Sequence, residues 1–111
     1  MSITIESDPA FLARVRSRDP DTLEGIVRDY LPQVVRAARA AGLAPHEADD
    51  AAQSTFITFL EKANTFEGRS HVRTWLFGIL FHKIMEMRRV RERDRQTDDI
   101  DDVMESRFNS N

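Results

Sequence analysis

Three of the chain's four prolines stand where a helix would begin, and this placement constrains the fold more than any other sequence feature. Pro9 and Pro20 follow the aspartates Asp8 and Asp19, and Pro45 follows a short Gly-Leu-Ala segment. Proline suits the first turn of a helix because its fixed φ is helical and its missing N–H would have no partner there. Aspartate before such a start caps the helix. The pattern predicts helices that begin at these three positions.

Apolar residues recur every three to four positions in four segments, which are 8–18, 20–41, 45–62 and 72–94. This spacing places them on one face of a helix. Gly42 is the natural end of the second segment, because glycine adopts the left-handed backbone that closes many helices. We therefore expect an all-α fold, a compact bundle of about four helices.

The length of the chain indicates a single domain. A chain of 111 residues can bury one small core but not two, so we assign residues 1–95 to one domain. Residues 96–111 have low apolar content and no sustained periodicity, which predicts a disordered linker. The first residues lack the cationic and apolar regions of a signal peptide, and no apolar run is long enough to cross a membrane. We expect a soluble, cytoplasmic protein without membrane contact.

The net charge of −3 conceals a basic segment. Residues 69–95 carry eight basic side chains against three acidic ones, whereas the segments on either side of them are acidic. A basic patch on an acidic domain is typical of proteins that bind a polyanion at one place. A solvated, charged helix end is the alternative that this feature alone leaves open.

The chain lacks the motifs of common catalytic and cofactor sites. It contains no phosphate-binding loop, no dinucleotide-binding glycine pattern, no GxSxG and no HExxH, and it has no cysteine. His46, His71 and His82 lie in separate segments without metal-ligand spacing. The adjacent Asp49 and Asp50 point about 100° apart on a helix, so they do not form an acid/base pair. We expect a binding protein rather than an enzyme, with no catalytic residue, metal or cofactor.

The third segment has two different faces. Its core face combines small residues with two rings: Ala48, Ala51, Ala52, Thr55, Phe56 and Phe59. The opposite face is polar but includes two aliphatic side chains: Asp49, Asp50, Gln53, Ser54, Ile57, Leu60 and Glu61. An aliphatic pair rimmed by acids and amides suits a protein contact, although an ordinary solvated face also tolerates single exposed apolar residues.

The loop at 64–71 and the fourth segment suggest a nucleic-acid surface. Phe66 lies within the loop, where it either fills the core, which its residue type favours, or offers a ring to a base. One stripe of the fourth helix combines an indole, an imidazole and a glycine: Trp75, Gly78, His82, Met85 and Arg89. Such side chains stack on bases or bond to them. The alternative is that Gly78 packs against another helix and Trp75 closes the core.

In this order, these features resemble region 2 of an extracytoplasmic-function (group IV) bacterial sigma factor of the sigma-70 family. The resemblance covers about residues 10–95. It rests on the sequences YLPQVVRAAR, EADDAAQSTFITFL and NTFEGRS, and above all on Arg73-Thr74-Trp75-Leu76 followed by a basic helix end. Each pattern is weak alone, but together and in this spacing they are specific.

The resemblance implies a helical domain that binds the β′ clamp helices of RNA polymerase and opens the −10 promoter element. The polymerase contacts it implies are Asp49, Asp50, Gln53, Ser54, Phe56, Ile57 and Leu60. The loop is expected to capture a flipped base of the single-stranded non-template strand, and the fourth helix to read the element. The DNA contacts so implied are Asn64, Phe66, Arg69, Ser70, His71, Arg73, Thr74, Trp75, Gly78, His82, Arg88 and Arg89. Arg91 and Arg93 extend the phosphate contacts.

The chain departs from the family pattern at three points. The family usually has asparagine at the position of His82 and often a basic residue at Gly78, so no promoter sequence carries over. The second domain that reads the −35 element in the family is missing, so the chain is either a fragment of a two-domain parent, which we favour, or an unusual one-domain member. An anti-sigma factor is a further partner that the resemblance allows. The alternatives are a helical module that binds only proteins and, less favoured, a duplex-DNA repressor.

Overall fold

The structure, a computed structural model, describes the backbone of residues 8–109 and the side chains of residues 8–96. The four helices are α1 (Pro9–Arg16), α2 (Pro20–Ala40), α3 (Pro45–Lys62) and α4 (Val72–Asn109), with a 3₁₀ turn at Ala63–Thr65. No strand occurs among the described residues. The predicted all-α fold of about four helices is confirmed.

Both predicted aspartate caps are present. The Asp8 carboxylate accepts a hydrogen bond from the Ala10 N–H at 2.9 Å at the start of α1. At the start of α2, Asp19 accepts from the Thr22 hydroxyl at 2.7 Å and from the Thr22 N–H at 3.0 Å. These two bonds, the hydroxyl first, lower the pKa of Asp19 because they stabilise its ionised form. The caps satisfy N–H groups that have no partner inside the helix.

The end of α2 is closed at the predicted glycine. Gly42 has a φ of +99°, in the left-handed region. Its N–H donates to the Arg39 carbonyl at 2.9 Å, and the Leu43 N–H donates to the Ala38 carbonyl at 3.2 Å. This pair of bonds turns the chain sharply and satisfies two terminal carbonyls, and it brings the start of α3 back against α2.

The core lies where α3 packs against α2 and α4. The predicted core face of α3 is buried as expected, including the alanines Ala48, Ala51 and Ala52. These small side chains allow the neighbouring helices to approach closely. Thr55 is the buried polar residue of this face, and its hydroxyl donates to the Ala51 carbonyl at 2.7 Å. The bond removes the cost of burying an unpaired hydroxyl.

The fourth helix is longer than predicted. It begins at Val72 as expected but runs to Asn109 instead of ending near Asp94. Residues 79–109 contain neither glycine nor proline, so no residue type there interrupts helical hydrogen bonding. The side chains beyond residue 96 lie outside the described part, and the linker role of residues 96–111 stays a prediction. No helix in the described part of the chain is both long and apolar enough to cross a membrane.

Candidate nucleic-acid interface

The outer face of α3, defined as Asp49, Asp50, Gln53, Ser54, Ile57 and Leu60, points away from the core. Ser54 is half-buried and the other five residues are exposed. Ile57 exposes 56% of its surface, in the middle of this polar face. An aliphatic side chain that leaves more than half of its surface in water gains little from the fold itself. The outer face thus combines apolar and acidic groups that a partner can cover.

Phe56, which the resemblance placed on the polymerase contact, lies in the core instead. Only 5% of its surface is exposed, and its ring meets the Phe59 ring edge to face at 6.4 Å between centroids. Position 56 follows Ala52 by four residues, so it shares the buried side of the helix. In this conformation the Phe56 ring supports the core and is not exposed to a partner, and its place among the polymerase contacts stays a prediction.

A groove between α3 and α4 adjoins the outer face. Its cavity volume is about 610 Å³, and Asp50 and Ser54 line it from α3. Met87 and Val90 of α4 form an apolar part of its wall, and Lys83 adds a cation. These three α4 residues were not among the predicted site residues. The sequence signal that could have identified them is the pair of apolar residues Met87 and Val90, three positions apart, with the cation Lys83 one helical turn before Met87.

An ion pair crosses the groove between the two helices. Arg91 of α4 pairs with Glu47 in the first turn of α3. Glu47 also accepts a hydrogen bond from the Ala44 N–H at 2.9 Å. That backbone bond, followed by the charge of Arg91, lowers the pKa of Glu47 despite its partial desolvation. Glu47 therefore caps α3 and ties it to α4.

The 64–71 loop is held at its first residue, its middle and its turn. Asn64 accepts a hydrogen bond from Arg18 at 3.1 Å. Phe66 exposes only 4% of its surface. Gly68 turns the chain with a φ of +75°, beside the side chain of Leu12.

The rest of the loop faces outward. Glu67, Arg69 and His71 are exposed, and Ser70 is half-buried. Arg69 pairs with Glu67 at 2.9 Å. The predicted loop residues 67–71 thus form one accessible surface, from which Phe66 is excluded.

Phe66 and Trp75 form a stack that supports the loop. Their rings lie 5.0 Å apart at an angle of 24°, and Trp75 meets Phe59 edge to face at 5.5 Å. Trp75 is half-buried. The alternative of a core role, which the sequence left open for both rings, is therefore the one seen here. Phe66 has no free face in this conformation, and one face of Trp75 is covered by it.

The exposed stripe of α4 differs in part from the predicted one. It comprises Thr74, Gly78, Phe81, His82, Met85 and Arg89. The observed stripe lacks Trp75 and includes Phe81 instead. The Phe81 side chain is 61% exposed, and its ring meets the His82 ring edge to face at 6.1 Å between centroids. Nothing lies within 4 Å of the place where a Gly78 side chain would begin, so Gly78 does not pack against another helix. Phe81 was missed because it lies toward the edge of the stripe.

The arginines of α4 that were predicted to contact DNA fall into two groups. In the first group the guanidinium is bound by another residue of the domain, and in the second group it is exposed. The Arg88 guanidinium donates to the Ala41 carbonyl at 2.6 Å and caps the end of α2, and Arg91 is paired with Glu47. Arg73 donates to the Gln33 side chain at 3.1 Å. Arg89 and Arg93 are exposed and have no ion pair among the described residues. The second group is the one that the fold leaves available for an anion.

Comparison with known proteins gives one family and one relative. Residues 26–96 match the family model described as Sigma-70 region 2. The chain is 29% identical over 85 residues to RNA polymerase sigma factor NccH of Alcaligenes xylosoxydans xylosoxydans. This match covers 77% of the chain and 46% of that protein, so the chain spans less than half of its relative's length. No solved structure matches the chain.

Proposed function

Because the chain belongs to the sigma-70 region 2 family over residues 26–96, we propose that it is the promoter-opening domain of an extracytoplasmic-function sigma factor. In this proposal the outer face of α3 binds the clamp helices of the β′ subunit of core RNA polymerase. The 64–71 loop and the exposed stripe of α4 bind the non-template strand of the −10 element. The domain acts in transcription initiation by binding and not by catalysis.

The exposure of Ile57 is the observation that carries the polymerase contact. Ile57 lies on the surface opposite the core, between acidic and amide side chains and near the exposed Leu60. An apolar centre with a polar rim is the usual anatomy of a protein interface. The acids of the rim favour a partner surface with basic residues, because opposite charges steer association.

The polymerase contact is tested with the double variant Asp50→Ala/Ile57→Glu. Placing a charge at the centre of an interface costs several kcal/mol, so we expect affinity for core RNA polymerase to fall about 100-fold or more. Leu31→Glu is the matched control, since Leu31 is an exposed aliphatic residue of α2. Circular dichroism checks that helicity is kept. Unchanged affinity in the double variant contradicts the proposed contact.

Strand capture is supported by the way in which the loop is presented. The outward residues of the loop stand beside the exposed stripe of α4, while the buried Phe66 fixes the loop to Trp75. Unstacking a base costs a few kcal/mol, and a new stacking contact returns about 1–3 kcal/mol. Phe81 and His82 are the exposed rings that can provide such a contact, and Arg89, two helical turns beyond His82, is available to a phosphate.

Strand capture is tested by titrating single-stranded DNA with a randomised −10 region into a mixture of the chain and core polymerase. Binding is measured at two salt concentrations. We expect affinity to fall as salt rises, with a logarithmic slope of about −0.7 for each phosphate contacted, and we expect the retained DNA to be enriched in a preferred sequence. The absence of binding contradicts this part of the proposal.

The second candidate is a helical module that binds proteins only. The internal use of Arg88 and Arg91 favours it, because two of the basic residues expected to meet phosphates serve the fold instead. Polymerase binding without DNA retention in the two experiments is the result that selects this alternative.

A further inference from the structure

We propose that α1, with Arg18 beyond its end, is a positioning element that holds the 64–71 loop in the shape needed for strand capture. This inference rests on the proposed function of the loop. Helix α1 precedes residue 26, where the match to the family model begins, so the family assignment does not cover it. Two independent contacts join it to the loop.

The first contact is made by a residue in an unusual backbone conformation. Arg18 has a φ of +57°, in the left-handed region that disfavours residues other than glycine. It closes α1: the Arg18 N–H donates to the Val15 carbonyl at 3.0 Å, and the Asp19 N–H donates to the Arg14 carbonyl at 2.9 Å. Glycine would meet this requirement without strain. An arginine here indicates that its side chain has a separate task.

The Arg18 guanidinium binds the far end of α3. Its Nε donates to the Leu60 carbonyl at 3.3 Å, and its Nη2 donates to the Glu61 carbonyl at 2.9 Å. The same Nη2 donates to Asn64 Oδ1 at 3.1 Å. A cation at a helix C-terminus satisfies carbonyls that lack a partner and opposes the helix dipole. One side chain thus joins the last turn of α3 to the first residue of the loop.

The second contact lies at the turn of the loop. A Cβ atom added at Gly68 would come within 3.1 Å of Leu12 Cδ2. Helix α1 therefore lies directly against the loop backbone at the point where φ is +75°. The Arg18 and Leu12 contacts stand on either side of Phe66, which is fixed from within by Trp75. Between them they set the position of the outward residues that follow.

The test separates loop positioning from stability. Arg18→Gly removes the guanidinium and relieves the positive φ, so its melting temperature should stay within about 3 °C of the wild type. We expect the full chain with core polymerase to retain the randomised single-stranded DNA about tenfold more weakly, which is the effect of losing charge-assisted bonds. Affinity for polymerase alone should not change. Arg16→Ala, which removes an exposed charge from α1, is the matched control and should behave as the wild type.

A second variant tests the other contact without changing a charge. Leu12→Ala removes the side chain behind Gly68, and we expect DNA retention to fall by about three- to fivefold while affinity for polymerase is kept. Because Leu12 also packs against the core, retention is measured well below the melting temperature of the variant. Equal retention by the wild type, Arg18→Gly and Leu12→Ala overturns the positioning role while leaving the proposed function intact. An equal loss in Arg16→Ala also overturns it, because charge alone would then explain the effect. If the wild type retains no DNA, both the proposed function and this inference are contradicted.

Discussion

The outer face of α3 and the 64–71 loop are built in different ways. Every residue of the outer face belongs to one helix, and its orientation follows from helical spacing alone. The loop owes its shape to α1, to α3 and to the start of α4, through Arg18, the 3₁₀ turn and Trp75. The outer face is therefore a local feature of the chain, and the loop is a tertiary one.

This difference has a physical consequence for how each surface responds to change. Exposed side chains on a helix can be replaced at little cost to folding, because they lose few contacts. Phe66 and Gly68 of the loop pack against Trp75 and Leu12, so changes at these two positions alter stability and shape together. Substitutions on the outer face should affect binding alone, and substitutions at Phe66 or Gly68 should affect both.

The largest expected effect distinguishes two phenylalanines. Phe66→Ala removes a buried ring that stacks on Trp75, and we expect it to lower the free energy of unfolding by about 3–5 kcal/mol. Phe81→Ala, its control, removes an exposed ring and should change this free energy by less than about 0.5 kcal/mol. Denaturant unfolding of both variants measures the difference. Similar losses of unfolding free energy in the two variants would contradict the core position of Phe66 and the proposed difference between the loop and the exposed surface.

Smaller changes in stability, opposite in sign to each other, are expected when two glycines are replaced by alanine. Gly68→Ala should cost about 1–2 kcal/mol of stability because alanine resists a positive φ and the new methyl group meets Leu12. Gly78→Ala should stabilise the protein by up to about 1 kcal/mol, because alanine favours a helix and nothing crowds that site. Thermal unfolding followed by circular dichroism compares them. A loss of stability in Gly78→Ala contradicts the open surface described at this position.

Two arginines on the same helix sharpen the comparison further. Arg88→Ala removes the cap on the Ala41 carbonyl, and we expect a loss of about 1 kcal/mol in the free energy of unfolding. Arg89→Ala should leave stability unchanged and instead reduce the salt slope of single-stranded DNA binding by about 0.7. Unfolding and salt titrations are both measured on each variant. The reverse pattern would exchange the roles assigned to the two side chains.

The smallest expected effect is a change in how stability depends on pH in the acidic range. The pKa of Glu47 is lowered in the folded state, first by the Ala44 N–H and then by Arg91, so its contribution to stability is present at neutral pH and is lost as the pH falls through its folded-state pKa. Glu47→Gln cannot ionise, and its unfolding free energy should decline less steeply between about pH 5 and pH 3. Asp19, whose pKa is also lowered, remains in both proteins. Identical slopes contradict the role given to Glu47.

The sequence predicted helix boundaries correctly where residues at the boundary itself determine it. The aspartate caps and Gly42 fixed the beginnings of α1 and α2 and the end of α2. The end of α4 was not predicted, since no glycine or proline marks it. The contacts of Arg18 with α3 were also beyond reach, because they join residues more than forty positions apart in the chain. Only the packing of the helices brings these residues together.

The resemblance to sigma factors identified the family, whereas helical periodicity and residue type predicted the burial of single side chains. Helical spacing placed Phe56 in the core, and the resemblance moved it to the polymerase contact. Residue type favoured a core role for Phe66, and the resemblance moved it to the DNA. In both cases the buried position is the one observed. A family pattern records which positions matter, whereas burial decides whether a side chain acts directly or supports its neighbours.

The stack of Trp75 on Phe66 also gives the protein a built-in optical signal. Trp75 is the chain's one tryptophan, and its ring lies 5.0 Å from a ring of the loop. Indole emission depends on what surrounds the ring, so a loop that shifts to admit a base will change the wavelength or intensity of this emission. Any displacement of the loop from Trp75 can therefore be followed in real time without attaching a label to the protein.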